Sequence, residues 1–180
     1  MDSVYFSSAM MLLLSVNFLT LSLGAEFRLK SKVIGAASVF VIVQLLLFMV
    51  GWGLARLLLP MLTGHETLLL HSILLFTGIK RIVRAFTVKK QARNFQLVHI
   101  FDVIGISTAV ATDAMIFGLA FAMIASNPVN LIFILAALTF FMGVTGIYLR
   151  SKKVRVKSGM VSEFLSGLFI IIINIIILFT

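Results

Sequence analysis

Apolar residues fill six long stretches of this chain, and short segments rich in charged residues or turn formers separate them. A transmembrane helix needs about 20 mostly apolar residues to cross the hydrocarbon core of a bilayer. Lipid offers no partner to backbone N–H and C=O groups, so a spanning segment has to satisfy them within a helix. The pattern therefore predicts six transmembrane helices, at residues 4–24, 33–59, 67–83, 98–125, 129–149 and 160–179.

The overall composition is that of a membrane protein. Hydrophobic residues make up 61% of the 180 residues and charged residues 12%, against about 45–50% and about 25% in soluble domains. We therefore predict an all-α integral membrane protein surrounded by the lipid bilayer. The absence of cysteine excludes disulfides and thiolate metal sites. No nucleophile–base constellation and no phosphate-binding glycine pattern is present, so neither an enzyme nor a bound cofactor is expected.

Positive charge is distributed unevenly over the connections. The formal net charge is +9, but the basic residues form no amphipathic face with aromatic residues, so nucleic acid is not an expected partner. Fourteen of the fifteen basic residues border the odd-numbered connections, namely Arg28, Lys30, Lys32, Lys80, Arg81, Arg84, Lys89, Lys90, Arg93, Arg150, Lys152, Lys153, Arg155 and Lys157. Only Arg56 lies on the other side. Because cytoplasmic loops are enriched in Lys and Arg, both termini are predicted to lie outside.

The two halves of the chain share a short pattern. The segments "SVNFLTLSLG" (15–24) and "ATDAMIFGLA" (111–120) each carry one polar residue at the third position, Asn17 and Asp113. Three helices in each half would give the halves opposite orientations, as in transporters built from inverted repeats. The predicted organisation is one membrane domain with a first repeat at 1–86, a cytoplasmic basic loop at 87–97 and a second repeat at 98–180.

Asp113 is a carboxylate near the centre of the fourth predicted helix. A charged side chain at that depth costs roughly 2.5–3.5 kcal/mol on insertion scales, so it should face protein or water and have partners. Two interpretations follow: a site for a cation or proton, or an aspartic acid that ties helices together by hydrogen bonds. Asp102 lies three helical turns earlier on the same face. It would line a vestibule to the site or only favour the helix dipole.

Three further polar residues stand at similar depth in apolar surroundings, namely Asn17, Gln44 and Thr139. With the aspartate they offer oxygen ligands, which suit hard cations such as Mn²⁺, Mg²⁺ or Ca²⁺. The same residue types are also common in hydrogen bonds between transmembrane helices. Glu163, which opens the last helix, is a second vestibule candidate or again favours the dipole. His71 has no ligand partner one turn away and is predicted to pack or to face a pore, and not to bind a metal.

Six segments carry a resemblance to a known family. They are "SVNFLTLSLG" (15–24), "VFVIVQLLLFMVGWGLA" (39–55), "LLFTGIKRI" (74–82), "STAVATDAMIFGLAF" (107–121), "ALTFFMGVTGIYLR" (137–150) and "SEFLSGL" (162–168). In this order they resemble the manganese-exporting pumps of the MntP type, within the LysE-like transporter superfamily. The resemblance implies export of Mn²⁺ from a bacterial cytoplasm across the cell (inner) membrane, driven by the membrane potential or a proton gradient. It aligns family positions with Trp52, Asp113, Thr139 and Glu163, and by analogy it leaves a homodimer open.

Three positions depart from the family pattern. Asn17 and Gln44 stand where the family usually has an aspartate and a glutamate, and Arg84 stands at a position that is often acidic. Charge count is a main determinant of affinity for a hard divalent cation. We therefore expect a weak Mn²⁺ site, or a site better suited to a monovalent ion.

The predicted mechanism is alternating access around a site at the bilayer midplane. Asp113 would hold the cation with the amide oxygens of Asn17 and Gln44 and the hydroxyl of Thr139, and protonation of Asp113 would accompany release. Two alternatives stay open. One is a non-transporting membrane subunit or scaffold whose polar residues only join helices. The other is an exporter of a different solute, monovalent or small and organic.

Overall fold

The computed structural model describes residues 3–27, 33–61, 64–87, 95–97, 100–124, 128–148 and 155–178. Within them the chain forms six long α-helices, a 3₁₀ turn at Leu59–Met61 and two strands of three residues each. The helices are α1 (Ser3–Gly24), α2 (Val33–Leu58), α3 (Glu66–Thr87), α4 (Ile100–Ile124), α5 (Val129–Tyr148) and α6 (Arg155–Leu178). The strands are β1 (Ala25–Phe27) and β2 (Phe95–Leu97).

All six predicted helices are confirmed, and two of them are longer than predicted. Helix α3 ends at Thr87 and α6 begins at Arg155, whereas the hydrophobic pattern placed these ends at residues 83 and 160. The pattern stops where charged residues begin, but a helix continues for as long as its backbone hydrogen bonds are made. The other limits agree to within two residues.

Three helical stretches within the described residues are long and apolar enough to cross a membrane, namely Ile34–Met61, Phe101–Met123 and Val129–Gly146. Shorter apolar stretches are Ser8–Leu19 in α1 and Met160–Ile176 in α6. Helix α3 is the most polar, since four charged residues interrupt its apolar sequence. By length and composition, this is a membrane protein with three clear spanning segments.

The two strands are a feature that the sequence analysis missed. β1 and β2 pair in parallel, with Ala25 opposite Phe95 and Phe27 opposite Leu97. Three residues are too few for an alternating pattern to reveal a strand. The pairing brings the end of α1 next to the start of α4. It also shortens the predicted loop at 87–97, of which residues 88–94 lie outside the described part of the chain, as do the basic segments 28–32 and 149–154.

The helices pack mainly across the two halves of the chain. Helix α1 packs against α4, α5 and α6, α2 packs against α4 and α5, and α3 packs against α4 and α6. Among the described residues, each extensive helix contact therefore joins one helix of the first half to one of the second. The halves interleave to form a single bundle.

The tightest crossing is between α2 and α4. A Cβ atom at Gly51 would overlap the carbonyl oxygen of Met115, and one at Gly118 would overlap that of Phe48. The two backbones touch because small residues allow transmembrane helices to approach closely. Large side chains fill the space beside the crossing, among them Trp52 and Phe121, which are almost fully buried. This contact fixes the position of α4, the helix that carries Asp113.

Candidate functional site

Asp113 lies where three helices meet, and its side chain is 0% exposed. From α3, Nζ of Lys80 donates a hydrogen bond of 2.8 Å to Oδ1. From α1, Nδ2 of Asn17 donates one of 3.2 Å to Oδ2. Nε of Arg81 lies 3.5 Å from the same Oδ2. The predicted partners of the buried carboxylate therefore exist, and two of them are cations of the chain itself.

Arg81 is enclosed by the bundle, and its Nη1 makes the hydrogen bonds, while Nε and Nη2 have no hydrogen-bond partner within the described residues. Its side chain is 1% exposed, and Nη1 donates to the backbone oxygen of Leu13 at 3.0 Å and to Oγ of Ser166 at 3.1 Å. The guanidinium lies 5.8 Å from the ring centroid of Phe117, which is a cation–π arrangement. Arg81 therefore joins α3 to α1, α4 and α6.

Lys80 is the neighbour of Arg81 in sequence but has a different environment. Its side chain is 31% exposed, and within the described residues its ammonium group bonds only to Asp113. Successive residues of a helix project about 100° apart, so one of two adjacent cations can be enclosed while the other reaches the site from its edge.

The charges at this cluster are positive in sum. Two cations, Lys80 and Arg81, contact one carboxylate, and Arg84 and Glu163 lie close enough to act on Arg81 electrostatically. A buried ion pair is tolerated when each charge has a partner, and it becomes costly when one partner is removed. The Asp113 carboxylate is thus fully compensated without any bound ion.

Gln44 and Thr139 form a second polar cluster. Oγ1 of Thr139 donates to Oε1 of Gln44 at 2.9 Å. Oγ of Ser15 lies 3.4 Å from Oγ1 of Thr139 and donates to the backbone oxygen of Met11. All three side chains are 0% exposed. Nε2 of Gln44 has no hydrogen-bond partner within the described residues.

The four predicted ligands therefore form two pairs. Asn17 contacts Asp113, and Thr139 contacts Gln44, while no hydrogen bond or ion pair of the described residues connects the pairs. Ser15 and Asn17 project in nearly opposite directions from α1, since two residues of a helix span about 200°. Helix α1 thus contributes one polar residue to each pair.

The predicted vestibule residues lie at the ends of their helices. Asp102 is exposed in the first turn of α4. Glu163 is half-buried, and its backbone oxygen accepts a hydrogen bond of 3.0 Å from Oγ of Ser166. His71 packs as predicted: its Nδ1 lies 2.7 Å from Oδ1 of Asn174, whose Nδ2 donates to the His71 backbone oxygen at 3.1 Å.

Sequence reasoning missed two residues of the Asp113 cluster. Lys80 and Arg81 were assigned only to topology, although both fall inside the predicted helix at 67–83. A basic residue at that depth needs a carboxylate partner, and Asp113 was available. Asn174 was missed as well, although it stands alone in the apolar segment "IIIINIIIL" (170–178), as Asn17 does in its own helix.

The described residues contain no group of three or more His, Asp or Glu side chains that could hold a metal ion. A cation site here would therefore combine a single carboxylate with neutral oxygens. Amide and hydroxyl oxygens suit hard cations, but affinity falls with the number of charged ligands.

Comparison with known families gives one match. The sequence matches the family described as "Mntp: Putative manganese efflux pump" over residues 27–178. The matched region includes Gln44, Lys80, Asp113 and Thr139 and begins after the position of Asn17. No curated protein and no solved structure matches the chain.

Proposed function

The chain belongs to the manganese efflux pump family. We propose that it is a multi-pass transporter that exports a small hard cation from the cytoplasm, with Mn²⁺ as the first candidate substrate. The family match over residues 27–178 carries this proposal. The spanning segments of α2, α4 and α5 support a place in the membrane, which we propose to be the bacterial cell (inner) membrane. A homodimer is proposed by analogy only, and light scattering on the purified protein tests it.

In this proposal Asp113 is the charged ligand of the transported ion. Asn17 now directs its amide nitrogen to the carboxylate, so its amide group has to rotate before the oxygen can face an ion. Gln44 and Thr139 offer further oxygens on the other side of α1. Alternating access would bring the two pairs together around the ion in one state and separate them in another.

The helix packing supports an arrangement of inverted repeats. Suppose that α1 corresponds to α4, α2 to α5 and α3 to α6. The α1–α5 contact then corresponds to the α2–α4 contact, and the α1–α6 contact corresponds to the α3–α4 contact. The α1–α4, α2–α5 and α3–α6 contacts map onto themselves. A two-fold axis in the membrane plane relates three-helix halves in this way.

The proposed topology places both termini outside the cytoplasm. Lys80 and Arg81 belong to the Asp113 cluster and are best removed from the topology count. Twelve basic residues then border the odd-numbered connections, against Arg56 on the other side. Such a ratio still supports a cytoplasmic position for the odd-numbered connections.

Export is tested by the growth of manganese-sensitive cells and by Mn²⁺ flux in proteoliposomes. Asp113→Asn should abolish both, because the amide removes the buried negative charge that this proposal assigns to the ion. Asp2→Asn, the same chemical change at the chain terminus, should leave both intact.

Asp113→Asn also leaves Lys80 and Arg81 without their carboxylate, which would destabilise the protein. The double variant Asp113→Asn/Lys80→Gln removes one charge of each sign and controls for this. If the double variant is folded in the membrane and still exports Mn²⁺, Asp113 is not the charged ligand of the transported ion, whereas absence of Mn²⁺ flux in the wild type would overturn export itself.

One observation favours a second candidate, a non-transporting membrane subunit or scaffold. The Asp113 carboxylate is bonded to cations of its own chain, as in a structural ion pair. In that case the wild-type protein moves neither Mn²⁺ nor Na⁺ in proteoliposomes. Cells that carry the double variant then grow like cells that carry the wild type.

A further inference from the structure

We infer that Lys80 is a tethered cation that occupies Asp113 in the absence of substrate and is displaced when the transported ion binds, whereas Arg81 stays in place. This inference rests on the proposed export function. It assigns different roles to two adjacent basic residues that contact the same carboxylate.

The first argument is the difference in how the two residues are held. Arg81 has hydrogen bonds to α1 and α6, lies over an aromatic ring of α4 and is 1% exposed. Lys80 has one hydrogen bond within the described residues and is 31% exposed. The four-carbon stem of lysine is flexible, so the ammonium group can leave the site without movement of α3.

The second argument is that the two oxygens of the Asp113 carboxylate have different partners. Oδ1 of Asp113 accepts from Lys80, while Oδ2 faces Asn17 and Arg81. Departure of Lys80 would free Oδ1 and leave Oδ2 anchored, so the carboxylate would keep its orientation.

The third argument is charge. With both cations in place, an incoming metal ion meets two positive charges beside one negative charge, and repulsion opposes binding. Displacement of Lys80 leaves a neutral pair of Arg81 and Asp113 to receive the ion. In the empty transporter the tethered ammonium gives Oδ1 of Asp113 a hydrogen-bond partner inside the membrane.

Displacement also bears on selectivity. Every transported cation has to compete with the ammonium group of Lys80 for Oδ1. A divalent ion gains more than a monovalent ion from the same carboxylate, because the attraction scales with ionic charge. The tethered lysine lowers the apparent affinity of every cation by the same factor, so an ion that the carboxylate binds weakly, such as Na⁺ or K⁺, loses useful binding before Mn²⁺ does.

Chemical labelling of the lysine amine tests the displacement in the full-length protein. Acylation with an amine-reactive reagent, read by mass spectrometry, should be slow at Lys80 without metal, because the ammonium group bonded to Asp113 is protected. Saturating MnCl₂ should accelerate it several-fold in the wild type. In Asp113→Asn, labelling should be fast with or without metal, and Lys89 serves as the internal reference.

Lys80→Gln provides a second, functional measurement. Removal of the competitor should lower the half-saturating Mn²⁺ concentration for flux by about fivefold or more, the usual lower range of linkage between two ligands. Flux of Na⁺ should rise in the same variant. Lys89→Gln, the same change in the predicted basic loop at 87–97, should alter neither quantity.

The outcomes separate this inference from the proposed function. Absence of Mn²⁺ flux in the wild type overturns the export function and the displacement with it. Mn²⁺ flux with unchanged Lys80 labelling, or an unchanged half-saturating concentration in folded Lys80→Gln, overturns the displacement alone.

Discussion

At the scale of single residues, Arg81 explains how this bundle accommodates a charge within the membrane. Its guanidinium group has acceptors on α1 and α6, a carboxylate beside it on α4 and an aromatic face below it. Guanidinium is planar and has five donors in a fixed fork, so it can serve several helices at once. A lysine at this position would carry its three donors on a single nitrogen and not along a planar fork.

Arg81→Gln should therefore destabilise the protein strongly. The substitution leaves Lys80 as the one cation that contacts Asp113 within the described residues, and it removes the contacts to Leu13 and Ser166. Loss of one partner of a buried pair costs roughly 3–5 kcal/mol. Thermal unfolding in detergent measures the effect. Arg84→Gln, at a half-buried position one turn nearer the helix end, should cost less than about 1 kcal/mol. Equal melting temperatures for Arg81→Gln and the wild type would contradict this account.

Some residues of the site could be predicted from the sequence and others could not, and the difference has a physical reason. Asp113 and Asn17 were found because a polar residue in an apolar helix is costly and needs an explanation. Lys80 and Arg81 were missed because a charge near a helix end has an equally good explanation in membrane topology. Only the three-dimensional position of α4 distinguishes the two, and that position depends on contacts remote in sequence.

At the scale of elements, the hydrophobic pattern located the helices but not their partners. Length and apolarity determine that a segment is a helix, whereas pairing depends on the shapes of two facing surfaces. The α2–α4 crossing illustrates this, since Gly51 and Gly118 allow backbone contact while Gly53 and Gly105 on the same helices face open space. Nothing in the local sequence separates these two kinds of glycine.

The crossing gives a prediction with a matched control. In Gly118→Ala the new methyl group would overlap the Phe48 carbonyl oxygen, so the helices have to move apart. Overpacking typically costs about 1–3 kcal/mol, which exceeds the roughly 1 kcal/mol that alanine gains over glycine in a helix. Gly105→Ala meets no atom within 4 Å and should be neutral or stabilising. A lower melting temperature for Gly105→Ala than for Gly118→Ala would refute the close approach.

At the scale of the whole molecule, orientation in the membrane and interleaving of the halves determine how an ion would reach Asp113. The proposed topology places the start of α3 outside and its end in the cytoplasm. His65 and Thr87 flank or end this helix and are both exposed. Since the chain contains no cysteine, a single introduced thiol reports its own location.

The orientation can be measured with a membrane-impermeant thiol reagent. In intact cells His65→Cys should be labelled from outside, while Thr87→Cys should be labelled only after the membrane is permeabilised. The distribution of the twelve basic residues around the odd-numbered connections is the reason. The cysteine-free wild type is the blank. The reverse labelling pattern would invert the proposed topology.

The interleaved packing also has a consequence for biogenesis. Translation completes α1, α2 and α3 before any helix exists against which they pack extensively. At that moment Arg81 has neither Asp113 nor Ser166 available, since both are still to be synthesised. The nascent first half should therefore stay bound to the insertion machinery until α4 and α6 emerge. Helix α3, the most polar helix, should be the last of its half to be released into lipid.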